Sequence, residues 1–335
     1  MKDIEAIIAG IDDIKIRKNV SAKKLTTFAL GGDISYLVEP QTVMAARTLV
    51  RKFNEEQIDY KILGNGSNVI ISDNGISKPI IILGKTFNNI NLYDDNFDIY
   101  SNIKPISNFE KAVNSMQNIK VFAFAAHSLM KLSRITSAAG YTGLEFAAGI
   151  PANVGGAVFM NAGAHGSSTL ENVSSIFSIN IHGEVLEQSP DEINFTYRRS
   201  GLDERNLVIG AVFDFYFKGN EVTLVNKNKS LAYRQETQPL SLPSSGSVFK
   251  NPSPNTLRNC KLNERLTAAE LLDELDLKGL TRGGIQFSTL HANWLVKISD
   301  SAKVEDLVYL VNLAKEKVAN RFNITLETEI KIWQN

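Results

Sequence analysis

Apolar and polar residues alternate along the chain with two periods, one typical of helices and one typical of strands. Isoleucines spaced three and four residues apart over residues 4–16 predict an amphipathic helix near the start. Between residues 33 and 83, and again between residues 120 and 217, strand patterns exchange with helix patterns. This exchange predicts α/β units in both regions.

From about residue 222 the pattern changes to a third mixed region. Its predicted elements are, in chain order, a basic helical stretch, a helix over 267–279 ending at Gly279, a strand over 294–298, a helix over 304–322 and a strand over 325–333. Residues 84–118 are rich in Asn and Asp and predict only a weak strand, a turn and a short helix. The chain therefore predicts three regions, each of which combines helices with strands.

The composition is that of a folded globular protein. Of 335 residues, 43% are hydrophobic and 21% are charged, a balance that argues against wholesale disorder. Lys+Arg and Asp+Glu number 36 each, so the chain lacks the net positive charge of a general nucleic-acid-binding protein. The single cysteine, Cys260, excludes an intramolecular disulfide, and four scattered histidines form no zinc-binding pattern. We therefore expect neither a nucleic-acid partner nor a metal.

The sequence also predicts where the protein works. Acidic residues interrupt the first 19 positions, where a signal peptide would require an apolar stretch. No run approaches the roughly 18 to 20 apolar residues that a membrane-spanning helix needs. We expect a cytoplasmic protein without a membrane segment.

Residues 63–68, Leu-Gly-Asn-Gly-Ser-Asn, predict a turn between two strands. A dinucleotide-binding (Rossmann) fingerprint requires a third glycine and a following helix, and the sequence indicates neither. The turn can instead bind phosphate through consecutive backbone N–H groups and through Ser and Asn donors. A plain hairpin is the alternative, and on this segment alone the hairpin is favoured.

Residues 143–166 contain a concentration of Gly and Ala, and almost every side chain there is small or apolar. Glycine is costly in backbone entropy, so such a concentration indicates unusual dihedral angles or very close backbone approach. A planar or polyanionic cofactor lying on main-chain amides accounts for both properties. Tight packing between sub-domains is the alternative.

Residues 196–200, Thr-Tyr-Arg-Arg-Ser, place two arginines side by side in a strand-like stretch. Strand alternation sends Arg198 and Arg199 to opposite faces, so one of them can clamp a carboxylate or an enolate. Near the end of the chain, Glu327 and Glu329 would share one face of the last predicted strand, where exposed carboxylates are the default interpretation.

Residues 244–252 contain a second candidate for catalysis. Ser247 and Lys250 match the SxxK pattern of penicillin-interacting enzymes. That pattern should open a helix, whereas Asn251-Pro252 is a turn signal immediately after Lys250. Ser247 is therefore interpreted as a hydroxyl held on a rigid loop.

Taken together, these segments resemble the UDP-N-acetylenolpyruvoylglucosamine reductase family over nearly the whole chain, from about residue 20 to residue 333. The matching motifs, in the family's order, are TTF with GG at 26–32, LGNGSN at 63–68, GLEFAAGIP to NAGAHG at 143–166, TYRRS at 196–200, RQETQP at 234–239, SSGSVFKNP at 244–252 and LETEI at 326–330. Several motifs in one order are far more specific than any one of them. The chain departs from the usual family pattern at Ala152, where glycine is common, and at Ala126-His127, where Ala-Gly is common.

The resemblance implies a mixed α+β and α/β fold. It consists of a two-subdomain FAD-binding unit of the PCMH type (vanillyl-alcohol-oxidase-like) and a C-terminal α+β substrate-binding domain. The expected boundaries are an N-terminal helix at 1–18, FAD-binding subdomains at 19–84 and 85–218, and a substrate-binding domain at 219–335. We expect a monomer.

The resemblance also implies an activity. Family members reduce the enolpyruvyl group of UDP-N-acetylglucosamine enolpyruvate to UDP-N-acetylmuramate, a step of peptidoglycan precursor synthesis. FAD and NADPH are the implied cofactors, and the UDP-sugar is the implied small-molecule partner.

Carried over position by position, the resemblance assigns roles to three sets of residues. Arg198 would stabilise the enolate, Ser247 would donate a proton and Glu329 would assist. Tyr197, Arg234 and Asn251 would bind the substrate. The implied FAD contacts are Leu63, Gly64, Asn65, Gly66, Ser67, Asn68, Gly149, Ile150, Pro151, Gly155, Gly156, Asn161, Ala162 and Gly163.

Two other functions stay open at this point. An FAD oxidase or dehydrogenase with the same cofactor fold would act on another substrate, and oxygen-driven turnover without NADPH would favour it. A catalytically inactive nucleotide-sugar-binding protein is the second. The joint presence of Arg198, Ser247 and Glu329 argues against the second.

Overall fold

Helices and strands alternate along most of the chain, whose computed structural model describes residues 3–101, 106, 108–114 and 116–335. The α-helices are α1 (Ile4–Ile8), α2 (Val43–Glu55), α3 (Phe109–Ala112), α4 (Leu129–Ala138), α5 (Val154–Phe159), α6 (Pro190–Ile193), α7 (Asn220–Thr237), α8 (Pro254–Asn259), α9 (Ala268–Asp273) and α10 (Val304–Phe322). The strands are β1 (Ile14–Ser21), β2 (Asp33–Pro40), β3 (Lys61–Ile62), β4 (Val69–Ile71), β5 (Ile80–Ile81), β6 (Ile90–Leu92), β7 (Asn118–Phe124), β8 (Tyr141–Thr142), β9 (Gly163–Ala164), β10 (Ser167–Ser168), β11 (Val173–Ile179), β12 (Val185–Gln188), β13 (Leu207–Phe217), β14 (Ser244–Ser247), β15 (Thr281–Arg282), β16 (Ile285–Phe287), β17 (Trp294–Lys297) and β18 (Lys331–Trp333).

The chain forms two compact units, and neither is a single stretch of sequence. The first unit consists of Met1–Lys18, Tyr36–Asn65 and Lys78–Tyr233. The second consists of Asn19–Ser35, Gly66–Ser77 and Arg234–Asn335. The expected domain boundaries stay predictions.

A six-stranded sheet forms the centre of the first unit. Its strands follow the order β12-β11-β13-β7-β6, and β8 pairs with β13. Along β7, Val121 and Ala123 face a core shared with α4 and α5, whereas Phe122 and Phe124 face a core shared with α2. This two-residue alternation is that of a strand buried on both faces. Helices therefore cover the sheet on both sides.

Helix α2 supplies the apolar layer over one of those faces. Its buried residues recur at helical intervals (Val43, Ala46, Leu49, Val50 and Phe53). Thr42 begins the helix, since its hydroxyl accepts a hydrogen bond from the Ala45 N–H at 3.2 Å. The same core includes residues of β2 and β5, which pair in parallel through Leu37 with Ile80 and Val38 with Ile81.

The second unit is built around helix α10. Its buried residues, Leu307, Leu310, Val311, Ala314 and Val318, face one core shared with α8, α9 and the antiparallel sheet β14-β17-β16-β15. Strand β18 pairs in parallel with β4 in a separate two-stranded sheet.

The predicted helix over residues 4–16 is wrong beyond Ile8. Helix α1 ends there, Gly10 adopts a φ of 79°, and β1 begins at Ile14. Ile4 and Ile8 are buried in the core that contains α2. The isoleucine spacing therefore reflects one buried face that a short helix, a turn and a strand supply in succession.

The last predicted strand, over 325–333, is also too long, because β18 begins only at Lys331. Thr328 instead forms an isolated antiparallel bridge with Phe249. The helix predicted over 267–279 is shortened to Ala268–Asp273. In the segment 84–118 the structure contains β6 and α3, and residues 102–105, 107 and 115 of that prediction lie outside the described residues.

Among the residues that the structure describes, no helix is both long enough and apolar enough to cross a membrane.

Candidate functional site

The glycine-containing turn at 63–68 is not a hairpin. Strand β3, before the turn, pairs with β5, whereas β4, after it, pairs with β18. The hairpin alternative is therefore wrong, and the turn connects strands of two different sheets.

The backbone N–H groups of this turn are available to a ligand. No oxygen of the described residues accepts a hydrogen bond from the N–H groups of residues 64–68. Leu63, by contrast, is buried, and its N–H donates to the Ile81 carbonyl at 2.9 Å. Consecutive backbone N–H groups without protein acceptors are suited to an anion such as a phosphate.

In the first unit, Gly64 and Asn65 lie against the Gly/Ala-rich segment. The Asn65 Nδ2 donates to the Pro151 carbonyl at 2.7 Å. A Cβ atom at Gly64 would lie 2.6 Å from the Asn153 Oδ1, so a larger residue there would displace Asn153. That oxygen begins α5 by accepting the Gly156 N–H at 3.0 Å.

Most amides of the Gly/Ala-rich segment bind the protein itself. The N–H groups of Ile150, Ala152, Val154, Gly155 and Ala162 donate to backbone carbonyls, and that of Gly156 donates to Asn153. A Cβ at Gly155 would lie 2.8 Å from the Ala125 Cβ. Close packing against Ala125 therefore requires this glycine.

Arg198 lies in a tight turn, and the expectation of a strand is wrong there. Thr196 and Arg199 exchange two backbone hydrogen bonds, of 2.8 and 3.1 Å, and Arg198 has a φ of 58°. Arg198 is nevertheless half-buried while Arg199 is exposed, so one arginine does point inward. The Arg198 guanidinium carbon lies 5.0 Å from the ring centre of Tyr197, whose side chain is exposed.

Asn161 and Gly163, whose predicted FAD contacts stay predictions, both bond to the arginine turn. The Arg198 Nη2 donates to the Gly163 carbonyl at 2.8 Å. The buried Asn161 donates through Nδ2 to the Thr196 carbonyl at 3.0 Å and accepts the Leu170 N–H at 3.1 Å. Gly163 therefore orients the guanidinium, and Asn161 holds the backbone of the turn.

On the expectation that Arg198 is catalytic, replacing Gly163 with alanine should reduce turnover by about tenfold or more, because 1 Å of misplacement of a catalytic group costs on the order of 100-fold. The added Cβ would collide with the Ser167 carbonyl and lie 3.2 Å from the Arg198 Nη1. Steady-state kinetics measures the effect. Gly166→Ala is the control, since its Cβ meets nothing within 4 Å and only its φ of 82° is strained. Equal losses in both variants would contradict this role of Gly163.

In the second unit, Ser247 lies at the end of a bulged strand, β14. We call residues 244–248 the serine loop. Ser244 pairs with Val296 and Ser247 with Trp294, so three steps along β14 match two along β17. Gly246, within this bulge, has a φ of 76°. A bulge redirects the side chains next to it. The half-buried Ser247 hydroxyl has no hydrogen-bond partner among the described residues.

Asn293 fixes the chain immediately after Ser247. It is 3% exposed; its Oδ1 accepts the Phe249 N–H at 2.9 Å and its Nδ2 donates to the Phe249 carbonyl at 2.8 Å. The Asn293 carbonyl accepts the Val248 N–H at 2.9 Å. No sequence signal indicated this role, because the two segments are far apart in the chain.

The two C-terminal glutamates differ in environment. The Glu329 N–H donates to the Val248 carbonyl at 2.8 Å, so the backbone of Glu329 lies beside the serine loop. The Glu327 carboxylate binds the Lys250 ammonium at 2.6 Å, and the Glu327 side chain is largely exposed. The structure thus brings Glu329 next to the serine loop although no strand contains it.

Arg234 and Asn251 also belong to the second unit. Arg234 is only 7% exposed, and burial lowers the pKa of its guanidinium to about 10. Its Nε has no hydrogen-bond partner among the described residues. A buried cation without a paired carboxylate is costly, so this site favours an anionic ligand. Asn251 accepts the Ala268 N–H through Oδ1 at 3.0 Å, at the first residue of α9, which Thr267 caps.

His127 lies beside the start of α5, where its carbonyl accepts the Val154 N–H at 2.8 Å. The side chain is 3% exposed, its Nδ1 lies 3.4 Å from the Asn88 carbonyl, and its Nε2 has no partner among the described residues. Burial lowers the pKa of His127. The folded protein therefore favours the neutral ring.

We expect His127 to make the protein less stable in acid. Because its pKa is lower in the folded state, the unfolded chain binds the proton first as the pH falls below about 6.5, and the free energy of unfolding decreases by at most about 1.4 kcal/mol per pH unit. Above that pH the effect is absent. Urea unfolding at pH 7.5, 6.5 and 5.5 should show a shallower decline in His127→Gln than in the wild type. Parallel profiles would contradict this assignment. Burial also lowers the pKa of His291. Because both proteins contain His291, its contribution cancels in the comparison.

Two family patterns match the chain. That of the C-terminal domain of UDP-N-acetylenolpyruvoylglucosamine reductase matches residues 238–333, and that of an FAD-binding domain matches residues 34–189. The UDP-N-acetylenolpyruvoylglucosamine reductase of Alkaliphilus oremlandii is 32% identical over 333 residues, covering 99% of this chain and 98% of that protein. The enzyme of the same name from Limosilactobacillus reuteri is 33% identical over 324 residues, covering 96% and 95%. The chain belongs to the UDP-N-acetylenolpyruvoylglucosamine reductase family.

A solved structure agrees with this family assignment. The crystal structure of the reductase from Thermus caldophilus matches with a TM-score of 0.72 and 26% identity, covering 96% of this chain and 99% of that chain. The predicted fold class, a PCMH-type FAD-binding unit with a C-terminal α+β domain, is confirmed. The protein is an FAD-dependent oxidoreductase of this family.

Proposed function

We propose that this enzyme uses NADPH and FAD to reduce UDP-N-acetylglucosamine enolpyruvate to UDP-N-acetylmuramate in the cytoplasm, as a step of peptidoglycan precursor synthesis. The observation that carries the proposal is the bulged serine loop. It holds the Ser247 hydroxyl half-buried and without a hydrogen-bond partner among the described residues, and Asn293 fixes the chain immediately after Ser247. A hydroxyl held in this way is suited to proton transfer to a bound substrate.

The turn at 63–68 fits an anionic group of FAD. Its N–H groups have no acceptor among the described residues, and Gly64 allows the turn to lie directly against Asn153. Asn65 anchors the turn through Pro151. Bound FAD would supply the transfer of a hydride from NADPH to C3 of the enolpyruvyl group. The remaining FAD contacts among residues 149–163 stay predictions.

Arg198 would stabilise charge on the substrate. When a hydride adds at C3, the electron pair of the C2–C3 double bond moves toward the carboxylate, which becomes an enolate. A fixed guanidinium favours that enolate more than the starting carboxylate, and only such differential binding lowers the barrier. The anchor from Nη2 to the Gly163 carbonyl is the preorganisation this role requires.

Ser247 would then donate its proton to C2, which completes the reduction. A serine hydroxyl is a weak acid in water, but an enolate carbon within hydrogen-bond reach is a strong base. Glu329, whose backbone lies beside the serine loop, would assist the protonation. General-acid catalysis of this kind contributes about 10²- to 10⁴-fold in rate.

The substrate also carries a diphosphate, for which we propose Arg234 and Asn251 as ligands, with Tyr197 as a further substrate contact. The buried Arg234 guanidinium supports this assignment, because it has no carboxylate partner among the described residues and gains from an anion. Asn251 is exposed and anchored at the start of α9.

Spectroscopy on the purified protein tests the proposal. We expect a yellow protein whose flavin absorbance NADPH bleaches without oxygen and whose colour returns on adding UDP-N-acetylglucosamine enolpyruvate. Colour that returns only with oxygen would indicate an oxidase instead. A colourless protein that binds UDP-sugars but no flavin would indicate an inactive binding protein.

A further inference from the structure

Thr27 makes two hydrogen bonds that join separate segments of the second unit. Its backbone N–H donates to the Gly66 carbonyl at 3.1 Å, within the turn at 63–68. Its hydroxyl donates to the Ser244 carbonyl at 2.6 Å, at the first residue of β14, the serine strand that ends at Ser247. One residue therefore connects the turn to the strand that ends at Ser247.

The approach of the turn to Thr27 is built into the backbone. Gly66 has a φ of 65°, and a Cβ there would collide with the Leu25 carbonyl and lie 2.8 Å from the Thr26 Cα. Only glycine allows the two segments to lie this close. The distance between turn and residues 25–27 is therefore fixed.

A second connection runs through Asn68. Its Nδ2 donates to the Glu329 carbonyl at 3.0 Å, and the Glu329 N–H donates to the Val248 carbonyl at 2.8 Å. Two connections thus join the serine loop to the turn at 63–68. One runs through Thr27 to Ser244, before Ser247, and the other runs through Glu329 to Val248, after Ser247. The hydroxyl of Thr27 is the connection on the side of the bulge, where β14 and β17 are out of register.

We propose that Thr27 is a positioning residue, whose hydroxyl holds the serine strand at a fixed place relative to residues 66–68 of the turn. This inference rests on the proposed function, in which Ser247 protonates the substrate. Without the bond to Ser244, the bulge lacks its constraint on one side and the Ser247 hydroxyl moves. Misplacement by about 1 Å costs on the order of 100-fold in rate.

Thr27→Val tests the proposal, because valine keeps the shape of threonine and the backbone N–H while removing the hydroxyl. Thr27→Ser restores the hydroxyl. Thr26→Val is the matched control. Thr26 is a buried neighbour whose hydroxyl donates to the Ala22 carbonyl at 3.2 Å and to no other oxygen of the described residues. All three variants are compared with the wild type as FAD-loaded proteins. Amide exchange is measured on the same FAD-loaded proteins in the absence of substrate.

In Thr27→Val we expect the colour return with UDP-N-acetylglucosamine enolpyruvate to slow by about 10- to 100-fold. FAD affinity and the rate of bleaching by NADPH should stay within about twofold, because residues 66–68 keep their amides. Amide exchange of residues 244–248 should become faster. Thr27→Ser should restore the colour return, and Thr26→Val should leave it unchanged.

Three results would overturn the positioning role: a colour return in Thr27→Val within about twofold of the wild type, an equal loss in Thr26→Val, or unchanged amide exchange at residues 244–248. The proposed function is judged separately by Ser247→Ala. If Ser247→Ala slows the colour return while Thr27→Val does not, only the role of Thr27 fails. If Ser247→Ala has no effect, the proposed function fails, and amide exchange alone decides whether Thr27 holds the strand.

Discussion

Replacing Ser247 with alanine should slow the return of flavin colour on adding UDP-N-acetylglucosamine enolpyruvate by about 10²- to 10⁴-fold, while bleaching by NADPH stays nearly unchanged. The reason is that the hydroxyl is needed only where a proton reaches the substrate. Bleaching requires no such proton donor for the enolpyruvyl group. Stopped-flow absorbance measures the two half-reactions separately.

Ser245 supplies the matched control for this substitution. It lies in the same bulge, is 3% exposed, and its hydroxyl has no hydrogen-bond partner among the described residues. Ser245→Ala therefore removes a hydroxyl from the loop without breaking a bond, and both half-reactions should keep their rates. Equal loss of both half-reactions in Ser247→Ala would show that the proton-donor assignment is wrong.

Replacing Arg198 with lysine should lower kcat by about 10²- to 10³-fold, which is the usual loss when one fixed donor to a developing oxyanion is removed. Lysine keeps the positive charge, but a single ammonium cannot bind the Gly163 carbonyl and also present a planar fork to a carboxylate. Steady-state kinetics with saturating NADPH measures kcat and KM. The enolate role requires that kcat fall, whereas a change confined to KM would indicate ordinary substrate binding.

Arg199→Lys is the control for that experiment. Arg199 is the neighbour in the same turn, and its side chain is exposed. Its backbone bonds to Thr196, and the substitution by lysine leaves those backbone bonds in place. We expect its turnover to match the wild type. Wild-type turnover in Arg198→Lys would rule out the proposed clamp.

The regular parts of the fold were predictable from local pattern. Helix α10 has the predicted bounds, Val304–Phe322, because a long apolar repeat is compatible with only one period. Strand β13 (Leu207–Phe217) lies in the region 120–217, where the sequence pattern predicts strands. The first residues show the limit of such reasoning. Isoleucines at helical intervals in 4–16 serve one buried face, yet the positive φ values of Gly10 and Asp13 divide that face between helix and strand.

The site residues were predictable as motifs, but their geometry was not. Arg198 has a positive φ without glycine, a conformation that distant bonds from Asn161 to Thr196 and from Arg198 to Gly163 support. Likewise, neither the bulge before Ser247 nor the bond from Thr27 to Ser244 has a local sequence signal. These features depend on contacts between residues far apart in the chain, and such contacts cannot be inferred from a single sequence.

The assembly of the second unit from three separated segments has a consequence during protein synthesis. Residues 66–77 leave the ribosome after residues 19–35 of the same unit but long before its third segment, because β4 pairs with β18 and that segment begins at Arg234. At about 5 to 20 residues per second, the delay is on the order of ten seconds. Throughout that time the apolar β4 residues, Ile70 and Ile71, lack their partner strand, while the first unit already has all its segments by Tyr233. The bond from Asn68 to the Glu329 carbonyl thus forms only after translation has passed Glu329, whereas the Thr27 N–H that bonds Gly66 is made before the turn.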